Sequence, residues 1–353
     1  MSYTNGLDDP SAFFNTVLYT GNETVRAITF DGNSDLAVDW IWLKSRSISG
    51  NHHLYDSVRG TQKHLRSNLD SAEGTNGGTD GVTAFSSNGV TIGTNTASND
   101  DGETFVGWGW KAGTSFTNDA SSTSVGTIDS AGSVNTDAGF AIISYTATGS
   151  AETIAHGLGT TPGFIITKRR DSADSWFVWN KTFSATQYLS MDTTNAVASA
   201  STVFGTLPTS TVYSTGGGGG TGTDGGTYIS YLFAEKQGYS KFGKYTVSSG
   251  ENNFIYLGFK PAFLIVKQTE ASGNVNWGMF DDKRPGFNNA NSFLYANTNA
   301  AEDSSNSHTI DFVSNGLRLR ANTVGVNPGK DYVYFAFAAE PFVTSTGVPA
   351  TAR

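Results

Sequence analysis

The chain has 353 residues, enough for two or three domains of ordinary size. Its 22 basic residues are outnumbered by 31 acidic ones, and the net charge of −9 disfavours nucleic acid as a partner. Cysteine is absent, which excludes disulfides and thiolate metal sites. Because the sequence shows neither a signal peptide nor an apolar run of membrane-spanning length, we expect no signal-dependent secretion and no membrane insertion.

The composition predicts an all-β protein. Aromatic residues make up 12% of the chain, charged residues only 15%, and 42 residues are glycine. Strong helix formers are scarce, whereas aromatic, β-branched and small polar residues are abundant. We therefore expect strands joined by tight turns, with aromatic side chains supplying much of the core.

Residues 1–16 are predicted to form an N-terminal arm. Asp9 followed by Pro10 is typical of the cap and first position of a short helical turn. The same segment could equally be extended and dock on a neighbouring molecule.

A short strand that ends on a lysine occurs three times, at 40–44, 164–168 and 263–267. Each copy begins with an aromatic residue, and the last two follow a turn that contains proline, which suits the start of a strand. The recurring lysines are Lys44, Lys168 and Lys267. Their recurrence predicts a shared structural role, such as a long stem that covers an apolar rim.

An aromatic strand recurs after each lysine and ends 65 to 70 residues beyond it, at 105–110, 228–233 and 332–337. One set of alternate positions is apolar in all three copies: Val106, Trp108 and Trp110; Ile229, Tyr231 and Phe233; Val333, Phe335 and Phe337. A period of two with one apolar face predicts a half-buried strand, and we expect each such face to close a separate two-layer core.

Two further elements support internal repetition. Asn-Gly turns predict hairpins at 85–92 and 312–319, with a diverged counterpart at 212–216. A weaker match relates 51–56, 175–180 and 276–281. We therefore predict three tandem β-sandwich domains, jelly-roll-like and related by internal repeat, at 17–112, 139–236 and 242–341. The Ser/Thr/Gly-rich segment 113–138 is predicted to be a linker or long surface excursion, and 342–353 a C-terminal tail.

Residues that could carry chemistry are few. His52 and His53, with Arg59 and His64 nearby, are interpreted as a polar strand end and loop; a catalytic or metal role is the alternative. His156 is expected to stabilise a turn, and His308 lies in a polar loop. The glycine run 216–220 lacks the Gly-Lys-Ser/Thr ending of a phosphate loop and predicts a mobile or tightly folded hairpin loop.

Acidic pairs occur at 100–101, 281–282 and 302–303, that is Asp100 and Asp101, Asp281 and Asp282, and Glu302 and Asp303. They are interpreted as solvated turns, with a surface Ca²⁺ site as the alternative. Trp176 and Trp277 are interpreted as core residues that could stack on sugar rings only if exposed. No catalytic, cofactor-binding or metal residue is predicted, the ligand-binding residues stay unassigned, and the chain is expected not to be an enzyme.

Part of the sequence resembles a segment common in structural proteins of tailed bacteriophages. The resemblance lies in 9–22, in the block 40–46 with 54–60 and 65–68, and in FVGWGWKAG at 105–113. It is similar to repeats in proteins of marine and cyanobacterial phages, often tail fibre or virion structural proteins, and is closer over 9–113 than over 139–341. The resemblance implies a place in the virion, and it carries no catalytic motif.

Three functions are consistent with these patterns. The first is a tail-associated, fibre-like protein that displays sandwich surfaces for attachment to host-surface glycan. The second is a capsid decoration or cement protein, or a head fibre, with a purely structural role. The third, a polysaccharide depolymerase, needs paired acids across a cleft, and no such pair is predicted. The expected partners are other virion proteins and copies of the chain itself in a symmetric homo-oligomer.

Overall fold

The computed structural model describes residues 7–248, 253–270, 275–285, 288–304, 310–320 and 329–351. In these ranges nearly all regular structure is β-strand, so the all-β prediction is confirmed. The helices are short: a 3₁₀ turn at Pro10–Ala12, α1 at Thr96–Asn99 and α2 at Ala120–Thr123.

The strands fall into three sets, and one additional pair of strands lies between the first set and the second. The first set is β1 Phe14–Thr20, β2 Arg26–Ile28, β3 Trp40–Ser45, β4 His53–Asp56, β5 Lys63–His64, β6 Gly74–Thr75, β7 Val82–Ser86, β8 Gly89–Ile92 and β9 Thr104–Trp110. The pair that follows is β10 Thr114–Asn118 and β11 Ser130–Asn135. The second set is β12 Phe140–Thr146, β13 Glu152–Ala155, β14 Phe164–Arg169, β15 Trp176–Asn180, β16 Gln187–Ser190, β17 Ala198–Ser199, β18 Val212–Thr215 and β19 Thr227–Phe233. The third is β20 Ser240–Thr246, β21 Asn253–Tyr256, β22 Phe259–Gln268, β23 Gly278–Asp281, β24 Leu294–Tyr295, β25 Ile310–Val313, β26 Gly316–Leu319 and β27 Asp331–Pro341.

The same antiparallel strand order occurs in each set. It is β1-β9-β3-β4 in the first, β12-β19-β14-β15 in the second and β20-β27-β22-β23 in the third. In each, the strand that carries the recurring lysine pairs with the aromatic strand, in the registers Trp40↔Trp110, Phe164↔Phe233 and Phe263↔Phe337. All three of these strands continue one residue beyond the lysine. We call the three sets repeat 1 (β1–β9), repeat 2 (β12–β19) and repeat 3 (β20–β27). The predicted domain boundaries stay a prediction.

The prediction of a linker at 113–138 is wrong, because this segment forms β10, α2 and β11. Both strands join the sheet of repeat 2 through the pairings β10–β11 and β11–β12. Ser130, Ser133 and Val134 are buried there. The high serine and threonine content led to the prediction of a flexible connection. Threonine is, however, a good strand residue, and serine is tolerated in a strand whose backbone pairs with neighbouring strands.

The N-terminal arm was predicted to extend to residue 16, but the first strand begins before that residue. Asp9 caps the 3₁₀ turn, its Oδ1 accepting a hydrogen bond from Ser11 N at 3.1 Å, so the predicted cap is confirmed. Residue 14 already begins β1, which is paired along its whole length with β9. The Asp8 carboxylate accepts a hydrogen bond from Ser345 N at 2.8 Å, which brings the predicted tail against this segment.

A small sheet covers the outer face of each main sheet. These small sheets are β2-β8-β7 in repeat 1, β13-β18 in repeat 2 and β21-β26-β25 in repeat 3. The predicted hairpins are present as β7–β8 and β25–β26. In repeat 1, Ile41 and Leu43 pack against Val90 and Ile92 of the small sheet. Repeat 3 forms a similar local cluster on its outer side.

The inner faces of all three main sheets meet in one hydrophobic cluster. Ring centroids lie 5.8 Å apart between Trp110 and Phe337, 5.7 Å apart between Phe337 and Phe233, and 6.0 Å apart between Phe233 and Trp40. These contacts connect repeat 1 to repeat 3, repeat 3 to repeat 2, and repeat 2 to repeat 1. The expectation that each aromatic strand closes a separate core is therefore wrong: the three inner faces share one.

The aromatic strands are consequently buried on both faces, and not half-buried as their period of two predicts. In β9 every residue from Phe105 to Trp110 is buried. Gly109 shows why the intervening positions look unconstrained, since a Cβ there would lie 2.6 Å from the Phe30 ring and 3.0 Å from Val38. Glycine is needed at this position because side chains of the outer layer approach the strand backbone directly.

Truncation of Phe233 tests the shared core. We expect Phe233→Ala to lower the free energy of unfolding by about 3–5 kcal/mol, because this ring contacts repeats 1 and 3 as well as its own. Unfolding in urea, followed by tryptophan fluorescence and circular dichroism, should remain one coincident transition. Leu207→Ala, at a side chain that is 56% exposed, is the control and should change little. Separate transitions for the three repeats would contradict a shared core.

Candidate functional site

Each repeat contacts the next through the segment that follows its fourth strand. Glu73 N donates to Arg170 O at 2.8 Å, Val197 N to Thr269 O at 2.9 Å, and Glu302 N to Arg46 O at 2.8 Å. These three hydrogen bonds join repeat 1 to 2, repeat 2 to 3 and repeat 3 to 1. We call the contact regions around them clasps: clasp 1 (56–73 with repeat 2), clasp 2 (180–197 with repeat 3) and clasp 3 (281–302 with repeat 1). Together they close the chain into a ring.

The recurring lysines lie in or next to these clasps and are almost fully buried. Lys168 Nζ donates to Asp70 O of repeat 1 at 3.0 Å, and Lys267 Nζ donates to Thr194 O of repeat 2 at 2.9 Å. Lys44 Nζ donates to Ser45 O at 2.7 Å. Burial lowers the pKa of all three lysines to about 8. The shared role is structural, but the ammonium groups bind buried carbonyl groups and do not cover a solvent-exposed rim.

A ring N–H at one equivalent position crosses each clasp. Trp176 Nε1 donates to Arg66 O at 2.9 Å, and Trp277 Nε1 donates to Ser190 O at 3.0 Å. His52 occupies this place in repeat 1, with Nε2 2.9 Å from Tyr295 O. Trp176 and Trp277 are 0% and 1% exposed, so neither can stack on a sugar ring.

The tautomer of His52 follows from its two partners. Trp42 Nε1, which can only donate, lies 2.7 Å from His52 Nδ1. Nδ1 must therefore accept, and Nε2 carries the proton that is donated to Tyr295 O. Burial, followed by the charge of Lys44, holds the pKa of His52 well below its usual value. The ring is a neutral hydrogen-bonding group, a role that the interpretation as a polar strand end did not predict.

Clasps 1 and 3 contain matching charge networks. In clasp 1, Arg59 Nε donates to Asp56 Oδ2 at 2.5 Å, and Glu73 accepts from Arg59 at 3.3 Å and from Arg170 at 2.9 Å. Tyr231 of repeat 2 donates its hydroxyl to Asp56 Oδ2 at 2.7 Å. The Asp56 and Arg59 side chains are 0% exposed, so each charge depends on the other for compensation.

In clasp 3 the equivalent groups are Asp281, Arg284, Glu302 and Arg46. Arg284 Nε lies 2.6 Å from Asp281 Oδ2 and Arg46 Nε lies 2.8 Å from Glu302 Oε2. Trp108 Nε1 of repeat 1 donates to Asp281 Oδ2 at 3.1 Å. The interpretation of Asp281 and Glu302 as members of solvated turns is therefore wrong. The buried Asp281 carboxylate pairs with Arg284 of its own repeat, and the Glu302 carboxylate pairs with Arg46 of repeat 1.

Clasp 2 has neutral residues at the same places. Asn180 replaces the aspartate, Phe183 the first arginine, Val197 the glutamate and Thr269 the second arginine. The backbone hydrogen bond from Val197 to Thr269 is kept. All four positions differ together, which is expected because a single buried charge without its partner is costly.

The other predicted residues have local structural roles. Leu158 N donates to His156 Nδ1 at 3.1 Å, which confirms the turn-stabilising prediction. The rings of His53 and His64 lie 5.0 Å apart in the interior of repeat 1. Within the glycine-rich loop Gly218 N donates to Gly222 O at 3.1 Å, so this part is folded back on itself. Asp100 is the C-cap of α1. His308 lies outside the described residues.

The described ranges contain neither a metal-binding cluster nor a membrane-spanning helix. No group of three or more His, Asp or Glu side chains is placed to hold a metal ion in those ranges. No helix there has the length and apolar character needed to cross a membrane.

An exposed aromatic pair lies on the outer sheet of repeat 3. Phe254 and Tyr256 are 50% and 53% exposed, whereas Ile255 between them packs against the outer cluster of that repeat. Lys241 Nζ lies 5.1 Å from the centre of the Tyr256 ring and donates to Tyr256 O at 2.8 Å. Neither aromatic residue was singled out from the sequence.

Residues 9–341 match the family described as "Domain of unknown function (DUF7483)". The chain belongs to this family. No curated protein and no solved structure matches the chain. The DUF7483 match extends over all three repeats and their clasps, as expected if the family unit is the whole ring rather than one repeat.

Substitutions in clasp 1 test the role of its charge network. Asp56→Asn should lower the free energy of unfolding by about 3–5 kcal/mol, because the buried Arg59 charge then keeps only its longer contact to Glu73. The double variant Asp56→Asn with Arg59→Phe installs two of the four clasp 2 residues, leaves Glu73 paired with Arg170, and should recover most of the loss. Chemical unfolding in urea measures both.

Lys181→Gln is the control for this pair of variants. It removes an ion pair to Glu235 whose side chains are 40% and 32% exposed, and it should cost less than about 1 kcal/mol. A double variant that is less stable than Asp56→Asn alone would contradict the compensation between clasps.

Acid should destabilise the protein through its buried histidines. Burial lowers the pKa of His53 to about 3 and that of His64 and His156 to about 4. The unfolded chain binds protons near 6.5 that the folded chain excludes, so stability should fall as the pH decreases from 6.5 towards 4. Each histidine contributes at most about 1.4 kcal/mol per pH unit.

The contribution of His52 to the loss of stability in acid can be isolated by installing the residues that repeats 2 and 3 have at the equivalent positions. Repeats 2 and 3 have isoleucine and tryptophan where repeat 1 has Trp42 and His52. The double variant Trp42→Ile with His52→Trp should fold, keep the hydrogen bond to Tyr295 O and show a shallower loss of stability in acid. Urea unfolding of variant and wild type at matched pH measures the difference, because all other titrating groups are unchanged. Equal slopes would contradict the assignment of His52 as a neutral buried ring.

Proposed function

We propose that this DUF7483 protein consists of three β-sandwich repeats fused into one ring and is a non-enzymatic structural component of a bacteriophage particle. In this proposal it is tail-associated and fibre-like, and it displays its outer surfaces for attachment to host-surface glycan. The clasps are the observation that carries the proposal. Lysine, histidine, aspartate and arginine side chains, which are catalytic groups in many enzymes, are here bound to groups of the adjoining repeat or of their own repeat.

The buried charges support a stabilising role. Asp56, Arg59, Glu73 and Arg170 neutralise one another within clasp 1, and Asp281, Arg284, Glu302 and Arg46 do so within clasp 3. The three lysines bind backbone carbonyl groups. A body held by such contacts on three sides has little freedom for relative motion of its repeats, which suits a display scaffold.

The outer surfaces support a role in display. The inner faces are used for the shared core, and the outer sheets and loops are left to face other molecules. The likeness of 9–113 to phage structural proteins supports the virion as the setting, with other virion proteins and further copies of the chain as partners.

Labelling of particles tests this proposal. Antibodies raised against the purified protein and coupled to gold should label the tails of intact particles in negatively stained electron micrographs, and pre-immune antibodies should not. Label on the shell would replace the tail assignment by a capsid decoration, cement or head-fibre role. Particles without label, or purified protein that shortens host polysaccharide chains, would contradict the proposal.

A further inference from the structure

The outer sheet of repeat 3 carries a feature that the ring itself does not need. Phe254 and Tyr256 expose about half of their surface on β21. The strands in the corresponding place of repeats 1 and 2 are β2, with the sequence RAI, and β13, with the sequence ETIA. Neither contains an aromatic residue, and both still pair with the next strand of their small sheets. Folding therefore does not account for the aromatic pair.

A basic residue accompanies the aromatic pair. Lys241 lies on β20, and the register of the first strands places Asn15 and Ala141 at the same position in repeats 1 and 2. Its ammonium group has three donors, of which one is directed to Tyr256 O. A lysine over the face of a tyrosine also holds the ring in one orientation. Repeat 3 thus differs from the other two repeats in two places: at the aromatic pair on β21 and at Lys241 on β20.

A groove begins at Tyr256 and has a volume of about 440 Å³. Lys236 and Lys241 both line it, together with Tyr256, Gly258 and Glu235. Glu235 is neutralised by Lys181 at 2.6 Å and accepts a hydrogen bond from Phe242 N at 2.8 Å. Among the described residues Lys236 has no ion pair. The groove is therefore locally positive on a chain whose net charge is −9.

We infer that Phe254, Tyr256, Lys241 and Lys236 form a binding site for an acidic polysaccharide. Flat, half-exposed rings present apolar faces on which sugar rings can stack, and the two ammonium groups complement carboxylate or sulfate groups on the sugars. Two rings on alternate positions of one strand, next to a positive groove, suit an extended chain better than a single small molecule. This inference rests on the proposed role in glycan attachment and names the site and the chemical class of the glycan.

Calorimetric titration of the whole protein tests the site. The probes are oligosaccharides of hyaluronan, polygalacturonate and polysialic acid, with dextran oligosaccharides as the neutral control. We expect at least one acidic probe to bind, dextran not to bind, and the affinity to fall as salt is raised, because salt screens exposed charges. Tyr256→Ala should weaken binding about tenfold or more, and Phe254→Ala and Lys241→Gln should each weaken it several-fold.

Leu207→Ala is the matched control, since Leu207 is as exposed as the aromatic pair but lies in repeat 2. Circular dichroism of each variant should match that of the wild type, because Phe254, Tyr256 and Leu207 are exposed and Lys241 is partly exposed. Failure of every acidic probe to bind, equal binding of dextran, an effect of Leu207→Ala equal to that of Tyr256→Ala, or binding to phosphatidylserine vesicles in place of glycans would overturn the inference. Particle labelling is independent of these results, so the site can fail while the virion role is upheld.

Discussion

The packing of three aromatic sheet faces against one another is the constraint on which the remaining structure depends. Trp110, Phe233 and Phe337 lie at equivalent positions of β9, β19 and β27 and belong to the same cluster. A sheet whose inner face is shared cannot leave its outer face to water without losing half of its own core, and so a small sheet covers each outer face. Burial on both sides explains why glycine alternates with tryptophan in β9, and why few large apolar residues of the described chain are exposed.

A shared core also requires that the repeats keep a fixed orientation. Apolar packing is not directional, and the clasps supply directional contacts at the perimeter of the cluster. The conserved part of each clasp is a backbone hydrogen bond, because an unpaired amide at a buried contact is costly whatever the side chains are. The side chains can then vary, provided that buried charges are introduced or removed as complete sets. Clasp 2 differs from clasps 1 and 3 in this concerted way.

The sequence was informative where structure follows from local pattern. The lysine-ending strands, the aromatic strands and the Asn-Gly hairpins lie where periodicity and turn residues predict them. A period of two identifies an apolar face but not the partner that covers it, so the common core was missed. Asp281 and Trp108 are hydrogen-bond partners that lie 173 residues apart in the chain, and no local sequence signal connects them. Composition was misleading at 113–138, where strand pairing with repeat 2 outweighs a linker-like content of serine, threonine and glycine.

The inner faces and the outer sheets have different structural roles, and this difference also explains how one repeat can acquire a binding role. Residues on the inner faces and in the clasps are tied to partners in another repeat, so a change there affects the whole ring. On the outer side of the small sheet of repeat 3, the hydrogen bond and the cation–π contact of Tyr256 both come from Lys241 of the same repeat. Phe254 and Tyr256 are exposed on β21, and Lys241 lies on β20, the strand that precedes β21 in the chain. A shared core therefore leaves each outer sheet free to diverge alone, which is the pattern expected when repeats that began alike no longer have the same task.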